Sequence, residues 1–326
     1  MIREPTPSLH DVSRETRSDD VSRETEFDTP IAREALQAVH TLNVRQETWP
    51  TPPRTRVMTV ANQKGGVGKT TSAVNLAAAL ALHGVRVLVI DLDPQGNAST
   101  ALGIEHPVGI ASVYDVLLAD RPLAEVIVPV EIAATTLFCA PATIDLAGAE
   151  LELSSQVARE YRLQRAVASY LAGFTPSDPA PDYILIDCPP SLGLLTLNAL
   201  VAAREALIPI QCEYYALEGL AQLLRTVEMV QAYLNKALTV STVLLTMYDS
   251  RTRLADQVAD EVRRHFGGLV IDAVIPRNVR VSEAPGYGQT VMTYDAGSRG
   301  AVGYLQAARE LAERGRNGSD LVEETQ

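Results

Sequence analysis

The run Lys64-Gly65-Gly66-Val67-Gly68-Lys69-Thr70-Thr71 concentrates more chemistry than any other stretch of the chain. Three glycines in four residues let successive backbone N–H groups curve around one anion. A helix starting at that point would add the positive end of its dipole. Lys69 can then reach the outer phosphates of a nucleotide, and the Thr70 hydroxyl can ligate Mg²⁺. Three aspartates suit the same chemistry. Asp91 and Asp93 close the apolar run that begins at Val85, and Asp187 follows the apolar run Tyr183–Ile186. An aspartate ending a strand beside a phosphate loop can hold Mg²⁺ directly or through water.

These residues need a strand before the loop and a helix after it. VMTVAN (57–62) reads as the strand, and the residues from about Lys69 to His83 read as the helix, with Gly84 as its stop. Further strands are expected at 85–93, 136–141, 183–190, 205–211, 238–248 and 268–276, and helices near 156–172, 217–235, 253–266 and 299–314. The alternation predicts an α/β fold, a mostly parallel twisted sheet with helices on both faces. The near-continuous Val, Ile and Leu of the strands fits burial on both sides. Residues 1–55 are polar and aperiodic and read as a disordered arm, 56–314 as the nucleotide-binding domain, and 315–326 as a flexible tail.

Composition removes several classes. At 326 residues and 46% hydrophobic, the chain is ordinary globular material. Its longest apolar runs fall short of a membrane span, and its start lacks a secretory pattern. Cys139, Cys188 and Cys212 share no CxxC spacing, which argues against a disulfide framework and a cysteine zinc site. A cytoplasmic, reduced protein is expected. The net charge of -12 opposes a general coat for nucleic acid but not a local patch. Six arginines (251, 253, 263, 264, 277 and 280) offset six acidic residues between 245 and 285, which leaves that segment neutral within an acidic chain.

The standard GxxxxGK[ST] pattern has a glycine where this chain has Gln63, and Lys64 follows it. With this deviant loop, NQKGGVGKTT (62–71), VIDLDPQGNAST (89–100), ILIDCPPSLG (184–193), QCEYYALEGL (211–220) and IPRNVRVSEAPGYG (275–288) resemble the ParA/Soj/MinD class of P-loop ATPases, and chromosomal ParA most closely. The resemblance implies an ATP-dependent homodimer with ATP and Mg²⁺ bound by residues 64–71. Lys64 would cross the dimer interface to the partner's nucleotide, and Gly65 would lie where the two loops meet. Lys64, Lys69 and Asp93 would act in catalysis, with Asp93 orienting the attacking water. Thr70, Asp187 and Asp91 would serve the metal, and Pro276 and Asn278 would frame the adenine. No arginine finger is identifiable, so slow turnover stimulated by a ParB-like partner is expected. Arg251 and Arg280 resemble positions that contact the backbone of non-specific double-stranded DNA, which makes the protein nucleoid-associated. A MinD-like positioning ATPase is the alternative, opposed by the acidic ending LVEETQ.

The arm holds one repeat, DVSRET at 11–16 and 20–25. Val-Ser-Arg-Glu-Thr can be encoded by GTTTCACGTGAAAC, its own reverse complement, which resembles the core of centromere-like parS sites. The repeat is therefore either an embedded DNA site or a peptide motif.

Overall fold

The computed structural model describes residues 47–213 and 216–316. Its centre is one eight-stranded sheet. In chain order the strands are β1 (Arg56–Val60), β2 (Val87–Asp91), β3 (Val128–Ile132), β4 (Thr135–Ala140), β5 (Tyr183–Asp187), β6 (Glu205–Gln211), β7 (Thr239–Tyr248) and β8 (Val270–Pro276). Across the sheet they run β3-β4-β2-β5-β1-β6-β7-β8, and all pairs are parallel except β3 with β4. The α/β fold with a mostly parallel sheet is the one the alternating pattern predicts.

Side chains alternate between two cores. On one face Met58, Val60, Val89 and Leu185 pack under α1 (Lys69–Leu82) and α11 (Arg299–Arg316), together with the short α2 (Asn97–Ala101) and α10 (Val291–Tyr294). On the other, Val57, Ile90, Ile184 and Ile208 meet α3 (Val113–Leu118), α4 (Leu146–Ser154), α5 (Arg162–Ala172), α6 (Leu194–Ala202), α7 (Ala216–Tyr233) and α8 (Arg253–Phe266). A short α9 (Val279–Glu283) follows β8. Burial on both faces explains why the strand sequences lack a polar alternation.

Register sets up the site. β2, β5 and β1 are neighbours, with Asp91 opposite Asp187 and Val60 opposite Asp187. Parallel strands separated by about 4.8 Å therefore bring both aspartates and the loop after β1 to the same edge.

Four expectations change. β3 was not foreseen: its Pro129 and Glu131 are exposed, which hides a strand that lies at the sheet edge. The helix expected over 156–172 is broken, because Ala158 takes a left-handed φ of 51° and the regular helix starts only at Arg162; α4 precedes it as a separate element. The arm does not extend to residue 55. Trp49 is buried, stacks on His83 at 3.7 Å, and donates its backbone N–H to the His83 carbonyl. Residues 1–46, including the DVSRET repeat, lie outside the described residues. The tail starts later than 315, since α11 continues to Arg316 with Gly315 buried against Tyr183. Residues 317–326 also lie outside the described residues.

Candidate nucleotide site

The chain leaves β1 and turns through residues 61–68 into α1. Gly66 and Gly68 have φ of 75° and 86°, left-handed values that a side chain would strain. Gly68 is the N-cap of α1 and offers no side-chain cap, so the first-turn N–H groups of the helix keep no side-chain partner there. The loop is held from behind by hydrogen bonds. Asn62 accepts from the Lys64 N–H (3.0 Å) and donates to the Pro209 carbonyl (2.8 Å), while the Thr246 hydroxyl donates to the Val67 carbonyl (2.8 Å). The fixed scaffold is thus β6 and β7, and the anion-facing rim is the loop itself.

Lys69 is buried, and its ammonium donates to the Lys64 carbonyl at 3.3 Å. Burial lowers its pKa, while Asp187 and Asp93 pull in the opposite direction. Asp187 is fully buried, and neither carboxylate oxygen has a hydrogen-bond partner. Burial first, and the neighbouring Asp91 second, push its carboxyl well above the usual range. The neighbouring Thr70 hydroxyl moderates that shift. An orphaned, buried carboxylate beside a threonine hydroxyl and an anion-binding loop is suited to a small hard cation. Among the described residues no group of three or more His, Cys, Asp or Glu side chains could hold a metal. Mg²⁺ takes one or two protein oxygens and completes its shell with phosphates and water.

Asp91 differs from the expectation. It is fully buried, and its oxygens accept from the Asp93 N–H (3.1 Å), the Ser99 N–H (2.8 Å) and the Ser99 hydroxyl (2.8 Å). Burial raises its pKa to about 6, against the lowering effect of those bonds. These bonds make it an organiser of the loop from Leu92 to Gly96, because its lone pairs are directed to protein donors. Asp93 sits beyond the end of β2, nearly buried, with one oxygen accepting from the Gln95 N–H at 3.0 Å.

Lys64 and Gly65 lie on the outside. The Lys64 ammonium pairs with Glu213 at 3.3 Å, both side chains being partly exposed. Gly65 and Gly66 are exposed, and a Cβ at either would meet nothing within 4 Å. Pro276 ends β8, and Asn278 caps α9 by accepting the Arg280 N–H at 2.8 Å. Further along, α10 is tied to α1 through Asn75, which accepts from the Val291 N–H at 2.8 Å.

The two expected DNA contacts are exposed but already paired. Arg251 makes a two-pronged contact with Asp249 (2.8 and 2.7 Å), and Arg280 lies between Glu283 (2.9 Å) and Asp295 (3.3 Å). Among the described residues Arg253, Arg263 and Arg277 have no ion pair. The sequence reading missed Ser99, Asn62 and Thr246. Asn62 adjoins the loop and Ser99 bonds Asp91 eight positions away, whereas Thr246 acts across a long sequence separation.

A strand, a glycine loop, a helix N-terminus and a buried aspartate on the next strand define a P-loop nucleotide-binding protein. A family model described as an AAA domain matches residues 55–240. The Soj sporulation initiation inhibitor of Bacillus subtilis is 52% identical over 260 residues, covering 80% of this chain and 99% of that protein. The chromosome partitioning protein ParA of Myxococcus xanthus is 51% identical, covering 79% and 88% respectively. Among solved structures, cobyrinic acid a,c-diamide synthase from Mycobacterium smegmatis with bound ADP and magnesium superposes with a TM-score of 0.67, at 40% identity over 80% of this chain and 95% of that one. The chain belongs to the ParA/Soj family of P-loop ATPases. Among the described residues no helix is long and apolar enough to cross a membrane.

Proposed function

We propose that the chain is a chromosome-partitioning ATPase that dimerises on ATP, binds double-stranded DNA without sequence preference, and releases it after hydrolysis stimulated by a ParB-like partner. It works in the cytoplasm on the nucleoid. Gly65 carries this reading. It needs no glycine for its own backbone and has open space around it, which is what a position approached by a second copy of the loop requires.

The backbone N–H groups of 65–71 hold the phosphates, and Lys69 neutralises their outer oxygens. Thr70 and Asp187 would hold Mg²⁺, which would supply positive charge to the phosphate oxygens. Asp93 orients the attacking water, and Asp91 fixes the backbone from which Asp93 projects. Lys64 leaves Glu213 to reach the partner's nucleotide; a partly exposed ion pair is worth about 0–1 kcal/mol, so its exchange costs little. Pro276 and Asn278 border the adenine. Arg251 and Arg280 exchange their equally weak surface pairs for DNA phosphates, supported by Arg253, Arg263 and Arg277.

Gly65→Val tests this directly. The variant is expected to match the wild type in thermal stability and monomeric ATP binding, but to stay monomeric with ATP in analytical ultracentrifugation. A Gly65→Val protein that dimerises on ATP would contradict the sandwich.

A further inference from the structure

Between Asp187 and α6 the chain passes through Cys188-Pro189-Pro190-Ser191-Leu192-Gly193 without regular structure. The N-cap of α6, Gly193, has no side chain to cap the helix. Glu150, from the middle of α4, does so instead. Its Oε1 accepts the Leu195 N–H in a long bond of 3.4 Å, and a Cβ built on Gly193 would lie 1.9 Å from that oxygen and 2.7 Å from Oε2. A carboxylate at the first turn of a helix is favoured by the dipole. Gly193 has φ -84° and ψ -168°, open to any residue, so it is the Glu150 carboxylate and not the backbone that demands glycine there.

The chain entering α4 is also tied to the other loop of the site. The Ala142 N–H donates to the Ser99 hydroxyl at 3.1 Å, and Ser99 donates to Asp91. Thr143 then bonds Asp145, the N-cap of α4, at 3.1 Å. One short segment, 142–154, therefore touches both α2, whose Ser99 bonds Asp91, and the first turn of α6, which ends the stretch that follows Asp187.

We propose that Glu150 is a positioning residue for ATP hydrolysis: by capping α6 it fixes the end of segment 188–193, and the segment 142–154 holds that end against α2, whose Ser99 fixes Asp91. This rests on the reading of Asp187 as the aspartate that serves Mg²⁺. The test uses the full chain with Glu150→Ala, Gly193→Ala, the double variant and Glu150→Gln. Gly193→Ala introduces no backbone strain but displaces the Glu150 carboxylate, so it should reproduce Glu150→Ala. Each single alanine variant is expected to lower kcat about tenfold with KM within twofold, the size of losing one charge-assisted hydrogen bond. The double variant should be no worse than either single one, and Glu150→Gln, which keeps the acceptor oxygen, should recover most of the rate. In the nucleotide-free protein, hydrogen exchange over 188–197 should quicken in all three alanine variants. Additive losses, unchanged exchange, or a raised KM at constant kcat would overturn the proposal. Asp187→Asn separates the two levels. If it turns over ATP at the wild-type rate, the reading of Asp187 fails; if it is inactive while Glu150→Ala is normal, only the role of Glu150 falls.

Discussion

At the scale of single residues the site is a set of charges that lacks a counter-ion. Asp187 has two buried oxygens without partners, and Lys69 is the cation that offsets them within the protein. The two lysines of the loop have different surroundings. Lys69 is buried and faces inward, whereas Lys64 sits at the rim beside Glu213. Removing Lys69 takes away the charge that meets the phosphates, so Lys69→Ala is expected to abolish nucleotide binding by titration calorimetry. Removing Asp93 leaves the phosphate loop intact and, on the proposed reading, takes away only the group that orients water. Asp93→Ala is therefore expected to bind ATP normally and to persist as an ATP-bound dimer; normal hydrolysis by that variant would refute the assignment.

Electrostatics also joins elements away from the site. Burial alone would raise the pKa of Glu205, but the Arg56 guanidinium, donating from Nε at 2.8 Å, outweighs it and holds the carboxyl below the ordinary 4.5. Because the folded value is depressed, this pair contributes stability above pH 4.5 and loses it as pH falls through the folded value. Thermal melts are expected to show a smaller decline below pH 4.5 for Glu205→Gln than for wild type. Arg56 links β1 to β6 and, through the Leu311 carbonyl at 3.0 Å, to α11.

At the scale of elements, α1 connects two different ends of the protein. Its N-terminus is the phosphate loop; its C-terminus is covered by the segment at Trp49, which stacks on His83. Fourteen residues at about 1.5 Å each separate the two by roughly 20 Å. Trp49→Ala is expected to lose about 2–4 kcal/mol of stability in urea unfolding followed by circular dichroism, because it empties a buried aromatic site. Its affinity for ATP should stay unchanged, and a coupled loss of both would contradict the separation.

Strand–loop–helix was legible because Val57–Val60, the glycines and the alanine-rich α1 all agree on one local structure. The aspartates were legible for the same reason, since each ends a continuous apolar run. β3 was not, because its exposed Pro129 and Glu131 dilute the strand pattern. Trp49 was not, because its partner His83 is 34 positions away and nothing local marks the contact. Thr246 and Glu150 escaped for a related reason: their roles exist only once the fold has brought Val67 and Gly193 beside them.

At the scale of the whole molecule, a net charge of -12 leaves an acidic protein only a small patch for the proposed binding of DNA. Residues 245–285 supply six arginines against six acidic side chains, and three of those arginines are held in surface pairs. A single patch of this kind is weak, and joining two copies in one dimer multiplies its effective affinity. DNA binding should therefore follow the nucleotide state and fall steeply with salt. The most direct measurement is binding to random-sequence duplex DNA, with ATP and with ADP, at two salt concentrations. Tight binding with ATP, weak binding with ADP, and a loss at higher salt that is reduced in Arg251→Ala are expected. Equal binding with both nucleotides, or none with either, would contradict a partition ATPase that carries DNA through an ATP-dependent dimer.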